Sequence, residues 1–326
     1  MRRACAILLL VTACGTDSSP PVGAPPKKEP PAHTVGGFSI ALPETQLQPG
    51  EEIEPCWIFP LERTGPSVIV GGAVLRAQPG MHHGNITARA KTGDGIRPCP
   101  ANDGDPGLDI IGGGMVLFAS STQVSGEEWY RFHDGDGYRV NDGQEIVARM
   151  HYLNASDQPI TVAPTYEWFT VDEAKVVHEL APFAWDYAKF EIPAGAEKTV
   201  TGDCKLPGND HPMHIVTALP HMHKLGLGMD SEFVGGDLDG YRFLDSAGYN
   251  PAEGVLTQYD PAVDLTDATG IKFSCTWKNT LDKTVTEGIG DNEMCIVFGY
   301  AWPNTSSYSA LANDGGCLMV ATPAPR

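Results

Sequence analysis

Several features are scarce or missing in this sequence of 326 residues, and each absence removes a class of protein. None of the eight cysteines lies in a CxxC pair, so zinc-ribbon and thioredoxin-like sites have no support. Basic residues number 22 against 41 acidic ones, and no basic cluster offsets the net charge of −19. A surface this acidic repels nucleic acid and anionic lipid, so we predict no nucleic-acid partner.

Long segments with the 3.6-residue period of an amphipathic helix are also missing. The sequence instead has short apolar or alternating runs that are separated by Gly, Pro, Asn and Asp, with 37 glycines and 27 prolines in all. This pattern predicts an all-β chain of sandwich or jelly-roll type. The clearest predicted strands are Ser67–Leu75, Ile146–Tyr152, Tyr166–Val171, Ile215–Leu219, Ile271–Trp277 and Met294–Tyr300.

The chain is long enough for two domains, each with its own core. We place the boundary at residues 172–175, after a predicted strand, which gives β-sandwich domains at 36–174 and 175–326.

The N-terminus is typical of an export signal. Two arginines precede a short apolar run, and VTAC at residues 11–14 is similar to a bacterial lipobox that ends at Cys14. We therefore predict a lipoprotein signal peptide at 1–14 and a disordered, Pro-rich tether at 15–35. The protein would be exported and anchored by lipid, facing the periplasm or the cell surface. A signal that is cleaved without lipidation is the alternative.

Six cysteines remain after Cys5 and Cys14 are set aside, and an even number in an exported chain indicates disulfides. The predicted boundary leaves Cys56 and Cys99 alone in the first domain, so they would pair. The four cysteines of the second domain allow three connectivities.

Histidines supply the candidate site. His221 and His223 form an HxH pair after an apolar run, and residues i and i+2 of a strand point to one face, so both imidazoles could reach one metal ion. His82 and His83 are adjacent, and could share an ion only at a strand end or a bulge, which Pro79-Gly80 and Gly84 make feasible. Otherwise one would point inward and the other outward.

We interpret the other polar residues as structural and not as ligands. Residues 134–145 superficially match an EF-hand loop through Asp134, Asp136 and Glu145, but Arg139 replaces the required glycine, so we predict a glycine-rich turn between strands. We interpret four further histidines and one acid as linker, surface or structural residues: His33 in the tether, His178 and Asp186 in surface-like segments without partners, and His211 and His214 ahead of the HxH pair.

The candidates divide into two sets. The first domain holds His82, His83 and His151, and the second holds His221, His223 and Met294. Three imidazoles suit copper or zinc, whereas two imidazoles with a thioether favour copper, Cu(I) above all. Considered alone, His151 and Met294 would each be interpreted as core residues. Two copper sites in an exported protein indicate redox chemistry.

Four segments, in this order along the chain, carry a family resemblance: GMHHGNITAR, VARMHYLN, PMHIVTALPHMHKLG and DNEMCIVF. They resemble the copper type II, ascorbate-dependent monooxygenases, which include peptidylglycine α-hydroxylating monooxygenase and dopamine β-monooxygenase. The resemblance covers most of residues 36–320. It implies two jelly-roll-like β-sandwiches that face across an open, solvent-filled cleft, with one copper in each.

By this resemblance, the first histidine set holds the electron-storing copper, and His221, His223 and Met294 hold the copper that meets O2 and substrate. Ascorbate or a similar reductant would supply electrons for hydroxylation of a C–H bond. The resemblance also selects Cys204–Cys317 and Cys275–Cys295 from the three connectivities.

The sequence departs from the peptide-hydroxylating members around the second copper. Leu219 stands where they place an arginine that binds the substrate carboxylate, and Ile296 and Phe298 stand where they place Asn and Tyr. Arg149 lies two residues before His151, where a neutral residue is expected. A small, non-peptide substrate is therefore predicted in a more apolar pocket. The alternatives are a copper-storing lipoprotein without turnover and a ligand-binding jelly-roll pair with incidental histidines.

Overall fold

The structure is a computed structural model that describes residues 21–61, 67–100, 115–120, 125–206, 212–248, 256–288, 291–305 and 308–321. The predicted signal peptide with Cys14, the first part of the tether and His211 lie outside these residues. The described chain is all-β, apart from one 3-10 turn at Glu173–Lys175. No helix in these ranges is long and apolar enough to cross a membrane.

The described residues form the following strands: β1 (Val22–Ala24), β2 (Thr34–Ala41), β3 (Thr45–Leu47), β4 (Glu52–Ile53), β5 (Cys56–Pro60), β6 (Val68–Ala77), β7 (Met81–Ala90), β8 (Arg97–Pro98), β9 (Met115–Ala119), β10 (Gly126–Arg131), β11 (Asp136–Val140), β12 (Gln144–Leu153), β13 (Ile160–Val162), β14 (Thr165–Val171), β15 (His178–Tyr187), β16 (Glu191–Ile192), β17 (Glu197–Lys205), β18 (His214–His221), β19 (Gly226–Val234), β20 (Arg242–Ser246), β21 (Thr257–Asp264), β22 (Gly270–Lys278), β23 (Val285–Thr286), β24 (Ile296–Trp302), β25 (Tyr308–Asn313) and β26 (Gly316–Ala321). Each of the six clearest predicted strands overlaps one of them: β6, β12, β14, β18, β22 and β24.

The first half is a β-sandwich. One sheet has the order β8-β5-β12-β7-β9, and it faces β6, β14 and β11 of a larger sheet. Alternation along β12 explains the packing, because Ile146, Ala148 and Met150 enter the core between the sheets. The intervening residues, including Arg149 and His151, therefore lie on the outer face of that sheet.

The second half is another sandwich. The sheet β17-β22-β19-β20 packs on β15, β24, β18 and β21 around an aromatic core that includes Trp185, Phe273 and Trp277. Val297 of β24 enters this core, so the alternating residues Ile296 and Phe298 lie on the opposite face, toward the first half.

The two sandwiches share a sheet and an apolar contact. Strand β11 pairs in parallel with β15, which makes the large sheet continuous across the halves. Leu219 and Tyr300 belong to the buried cluster of the first sandwich. The Glu173–Lys175 turn, with Asp172 as its N-cap, lies within the predicted boundary at 172–175.

All three predicted disulfides are confirmed: Cys56–Cys99, Cys204–Cys317 and Cys275–Cys295. Cys275–Cys295 joins β22 to the residue that follows Met294, so it fixes the chain beside a candidate ligand.

Part of the segment that was predicted to be a disordered tether is ordered on the protein. Val22–Ala24 pair with residues 258–260 of β21, and Pro31 is buried beside Gly71 and Gly72. Strand pairing gives these three residues backbone partners that the Pro-rich composition did not indicate.

Candidate metal centre

His82 and His83 lie at a β-bulge at the start of β7. His83 is opposite His151 on β12, but the next residue of β12, Tyr152, is opposite Met81, so His82 is the extra residue. Gly80 precedes the bulge with φ 102°, a conformation that favours glycine. The bulge turns both imidazoles the same way, and their Nδ1 atoms are 2.9 Å apart. The structure therefore has the bulge that the sequence made feasible, and not the arrangement with one histidine inward and the other outward.

His151 completes the first set of histidines. Ring nitrogens of His82, His83 and His151 all lie within 4.8 Å of one another. The Nε2 atom of His151 is 2.6 Å from Oε1 of Glu52, so neutral His151 donates its proton there and keeps a lone pair on Nδ1. That Nδ1 atom is buried and has no hydrogen-bond partner among the described residues.

His221 and His223 lie side by side, as the HxH spacing predicted. Strand β18 ends at His221, and the two ring centroids are 5.3 Å apart. Met222 points the other way, into the core of the second sandwich. Neutral His223 donates from Nδ1 to the carbonyl oxygen of Asn292 at 2.8 Å, which leaves a lone pair on Nε2. Nε2 is also buried without a partner in the part of the chain that the structure describes.

Glu293 holds the backbone around this pair. Its carboxylate is fully buried and accepts hydrogen bonds from the backbone N–H groups of His223 and Leu225 and from Nε1 of Trp277. Burial raises the pKa of Glu293 to about 7, although these donors act in the opposite direction. The residue thus ties the HxH turn to the segment that carries Met294.

The two histidine sets are in contact with each other. The ring of His83 lies 5.8 Å from that of His221 and 5.5 Å from that of His223, measured between centroids. The expected open, solvent-filled cleft between two copper sites is therefore not present at the histidines. The physical reason is the shared sheet and the apolar contact between the sandwiches, which bring the end of β18 onto the outer face of β7 and β12.

Burial favours the neutral form of four of these imidazoles, those of His82, His83, His221 and His223. Desolvation, with smaller contributions from the charges of neighbouring histidines, lowers the pKa of His82 to about 4 and that of His221 to about 3. Burial also lowers the pKa values of His83 and His223. Neutral imidazoles are the form that ligates metals, so the cluster offers lone pairs at neutral pH.

Met294 lies two residues before β24, on the segment between Glu293 and Cys295, and is half-buried. Glu293 and Cys295 point into the protein, so alternation puts Met294 on the side of Ile296. Because Ile296 is directly opposite His221, Met294 lies on the face that carries the second histidine pair.

The four predicted pocket residues have different surroundings. Leu219 is fully buried in the contact between the sandwiches, and Phe298 packs on the same cluster with its ring 6.0 Å from that of His221. Ile296 is half-buried opposite His221. Arg149 donates to Oγ1 of Thr87 on the outer face that also carries His151. Leu219 was predicted to line an apolar pocket near the second copper. It belongs instead to the packed core between the sandwiches.

The EF-hand-like segment does not converge on one point. Asp134 binds Arg131, Asp136 binds His178, and Glu145 is buried against Arg89 and Arg97. Asp136–Val140 is strand β11, so the predicted turn is partly strand.

The expectation that His178 lacks partners is wrong. His178 stacks on one face of Trp302 at 4.1 Å, and His214 stacks on the other face at 3.6 Å, measured between ring centroids. His214 starts β18 and His221 ends it, about 23 Å away at the usual strand rise, so His214 lies outside the candidate metal centre. The same expectation is wrong for Asp186, which lies in β15 opposite Ile296 and also has a partner.

Two residues of the site had no signal in the sequence that pointed to them. Glu52 is 99 positions from His151, and only the pairing of β4 with β12 brings them together. Glu293 precedes Met294 in the DNEMC segment, but an acidic residue there is as readily solvated as buried.

Comparisons with known proteins add little about function. No protein-family model and no curated protein matches the chain. Among solved structures, the major capsid protein P2 of bacteriophage PM2 is similar at a TM-score of 0.31 and 10% identity, with 86% of this chain and 97% of that chain covered. T=1 particles derived from infectious bursal virus give a TM-score of 0.23 and 12% identity, with 88% and 73% covered. At these TM-scores the likeness carries no argument about what this chain does.

Proposed function

We propose that this chain is an exported copper-dependent monooxygenase that hydroxylates a C–H bond of a small, non-peptide substrate with O2 and ascorbate or a similar reductant. The observation that carries the proposal is a pair of buried nitrogens, Nδ1 of His151 and Nε2 of His223, that have no hydrogen-bond partner among the described residues. An acceptor that is buried and unpaired costs free energy, about 1–3 kcal/mol, unless a ligand satisfies it.

The donor set fits copper. His82, His83 and His151 would hold one ion, and His221, His223 and Met294 a second. When bound, copper would supply one-electron redox chemistry and O2 activation.

The protein's own residues prepare this site. Glu52 and the carbonyl of Asn292 fix which nitrogen of His151 and of His223 carries the proton, and so which one carries the lone pair. Phe298 and Leu219 exclude water beside His221. His82 is the least buried of the five histidines, so small molecules would arrive at its edge of the cluster.

The substrate would be apolar near the reacting carbon. Ile296 and Phe298 present only hydrocarbon on the side of His221, which gives a substrate carboxylate no hydrogen-bond donor there.

A second candidate is a copper-binding protein that stores or passes the metal without turnover. It is favoured by the burial of Leu219 and by the contact between the histidine sets, which leave less room for a substrate than an open cleft would.

Oxygen uptake tests the choice between them. Copper-loaded protein with ascorbate should consume O2 in step with hydroxylation of one member of a panel of apolar small molecules. Met294→Ile should remove most hydroxylation and leave the fold intact, since the change of side-chain volume is small. Copper binding without any coupled product across the panel would favour storage.

Export by lipidation is a separate part of the proposal. Wild-type protein expressed in bacteria should incorporate labelled fatty acid and fractionate with membranes, and a Cys14→Ser variant should do neither. Equal fractionation of the two proteins would contradict a lipid anchor at this residue.

A further inference from the structure

The distances among the five histidines do not separate them into two groups. Within the first set, the ring centroids lie between 4.5 Å and 5.1 Å apart, and the two rings of the second set lie 5.3 Å apart. The distances from His83 to the second set, 5.8 Å and 5.5 Å, are nearly the same. Ring pairs at such separations are in van der Waals contact, with no layer of water between them.

The contact is buried. His83, His151, His221 and His223 each retain 7% or less of their exposure, and His83 stacks on His223 with an interplanar angle of 27°. His83 therefore has one side toward His82 and His151 and another toward the second pair.

Hydrogen bonds between the halves keep this contact closed. The hydroxyl of Tyr300 donates to the carbonyl of Val116, and Nε2 of Gln258 donates to the carbonyl of Arg131. These bonds are buried and join the two halves in addition to the pairing of β11 with β15. Opening a cleft at the histidines would expose Leu219 and Tyr300 and leave buried polar groups without partners, which is costly.

We propose that the five histidines form one contiguous dinuclear centre, in which the imidazole of His83 lies between the two metal positions and contacts both ligand sets. The inference rests on the proposed function only for the identity of the metal. It differs from the arrangement that the family resemblance implies, in which solvent separates two independent coppers.

Adjacent histidines give a matched test. His82 and His83 both belong to the first set, but of the two it is the ring of His83 that packs on the rings of His221 and His223. Each of the variants His82→Ala and His83→Ala is loaded with one Cu(II) per chain, and the electron paramagnetic resonance spectrum of the copper at the second pair is recorded. In a contiguous centre, the hyperfine splitting of that copper differs between the two variants, because His83→Ala removes a ring that contacts His221 and His223 and His82→Ala does not. Superimposable spectra of the two variants would overturn the proposal.

Wild-type protein with two Cu(II) ions gives a second readout that does not depend on the folding of a variant. Its spectrum should differ from the sum of two isolated Cu(II) signals, through lost intensity or dipolar splitting that the one-copper sample lacks. A spectrum equal to that sum would contradict the contiguous centre but leave the copper function standing. Failure to bind any copper would remove both proposals, whereas His33→Asn, at an exposed histidine with φ 61°, should change nothing.

Discussion

Two clusters of histidines lie on the same molecule, and they differ in what their ring nitrogens contact. In one, His178 and His214 enclose Trp302, with Nδ1 of His178 2.8 Å from Asp136 and Nδ1 of His214 3.5 Å from Asp264. In the other, five imidazoles face one another, and buried nitrogens of two of them have no partner in the described chain.

The difference separates a structural histidine from a candidate ligand. Each histidine of the Trp302 stack has an aromatic face and a carboxylate, so its Nδ1 atom lies beside an acidic group of the protein. In the five-histidine cluster, the carboxylate of Glu52 and the carbonyl of Asn292 lie on the outer side of His151 and His223, which directs the opposite lone pairs of these two rings into the cluster. The His178 and His214 side chains are 37% and 17% exposed, whereas four of the five clustered imidazoles are buried. Burial and the direction of the unpaired nitrogens together distinguish the two regions.

The largest effect is expected for copper stoichiometry in variants of one strand. His214 and His221 are the first and last residues of β18. Copper-loaded, desalted wild type should approach two coppers per chain by metal analysis. His221→Ala removes an imidazole ligand, so its copper content should fall to about one per chain, whereas the content of His214→Ala should stay near two. A wild-type value of one or zero, or equal losses in the two variants, would contradict the account.

The metal-free protein should lose stability in acid. An imidazole whose pKa is lower in the folded than in the unfolded chain gains its proton on unfolding, so stability is present above about pH 6.5 and decreases as the pH falls. The decrease should continue to about pH 4 for His82 and pH 3 for His221. Urea unfolding at several pH values measures this fall in the free energy of unfolding. Bound copper should oppose proton uptake, so a metal-loaded sample with the same pH dependence would count against ligation by these residues.

Removal of the Glu293 carboxylate tests the support of the HxH turn. Glu293→Ala leaves the N–H groups of His223, Leu225 and Trp277 buried without their acceptor, and should cost about 3–5 kcal/mol in the free energy of unfolding. Glu293→Gln retains one carbonyl oxygen and should cost clearly less. Equal chemical denaturation of the alanine variant and wild type would show that this carboxylate does not hold the turn.

A smaller effect is expected at Glu52, which is about half exposed and orients His151 from outside the cluster. Glu52→Gln should weaken copper binding by about 10–100-fold, as is typical for the outer partner of a ligating histidine. Asp136→Asn changes the corresponding partner of His178 and should leave copper affinity unchanged. Competitive titration with a copper chelator measures the copper affinity of the two variants. Equal losses of affinity would show that the two histidine clusters do not differ in this respect.

Much of the fold could be predicted because its signals are local. Alternation and turn residues located β12, β18 and β24, and the spacing of Pro79-Gly80 before His82 and His83 allowed the bulge that the structure has. The histidines of the site were recognisable because their types and order carry information in the sequence itself.

What could not be predicted depends on contacts between distant segments. The partnership of Glu52 with His151 requires the pairing of β4 with β12, and the meeting of His83 with His223 requires the parallel pairing of β11 with β15. The burial of Leu219 has the same origin, since an apolar residue can line a pocket or fill a core. The Trp302 stack was missed because its histidines are 36 positions apart in sequence and join only across the sheet.

The most direct test of the central claim is anomalous diffraction at the copper absorption edge from crystals of the copper-loaded protein. The account predicts anomalous density among His82, His83, His151, His221 and His223, with two peaks and with Met294 beside the one near His221. Beside Trp302, where His178 and His214 are already paired with carboxylates, it predicts no peak. Copper at the Trp302 stack, or a histidine cluster without anomalous density in copper-loaded crystals, would contradict it.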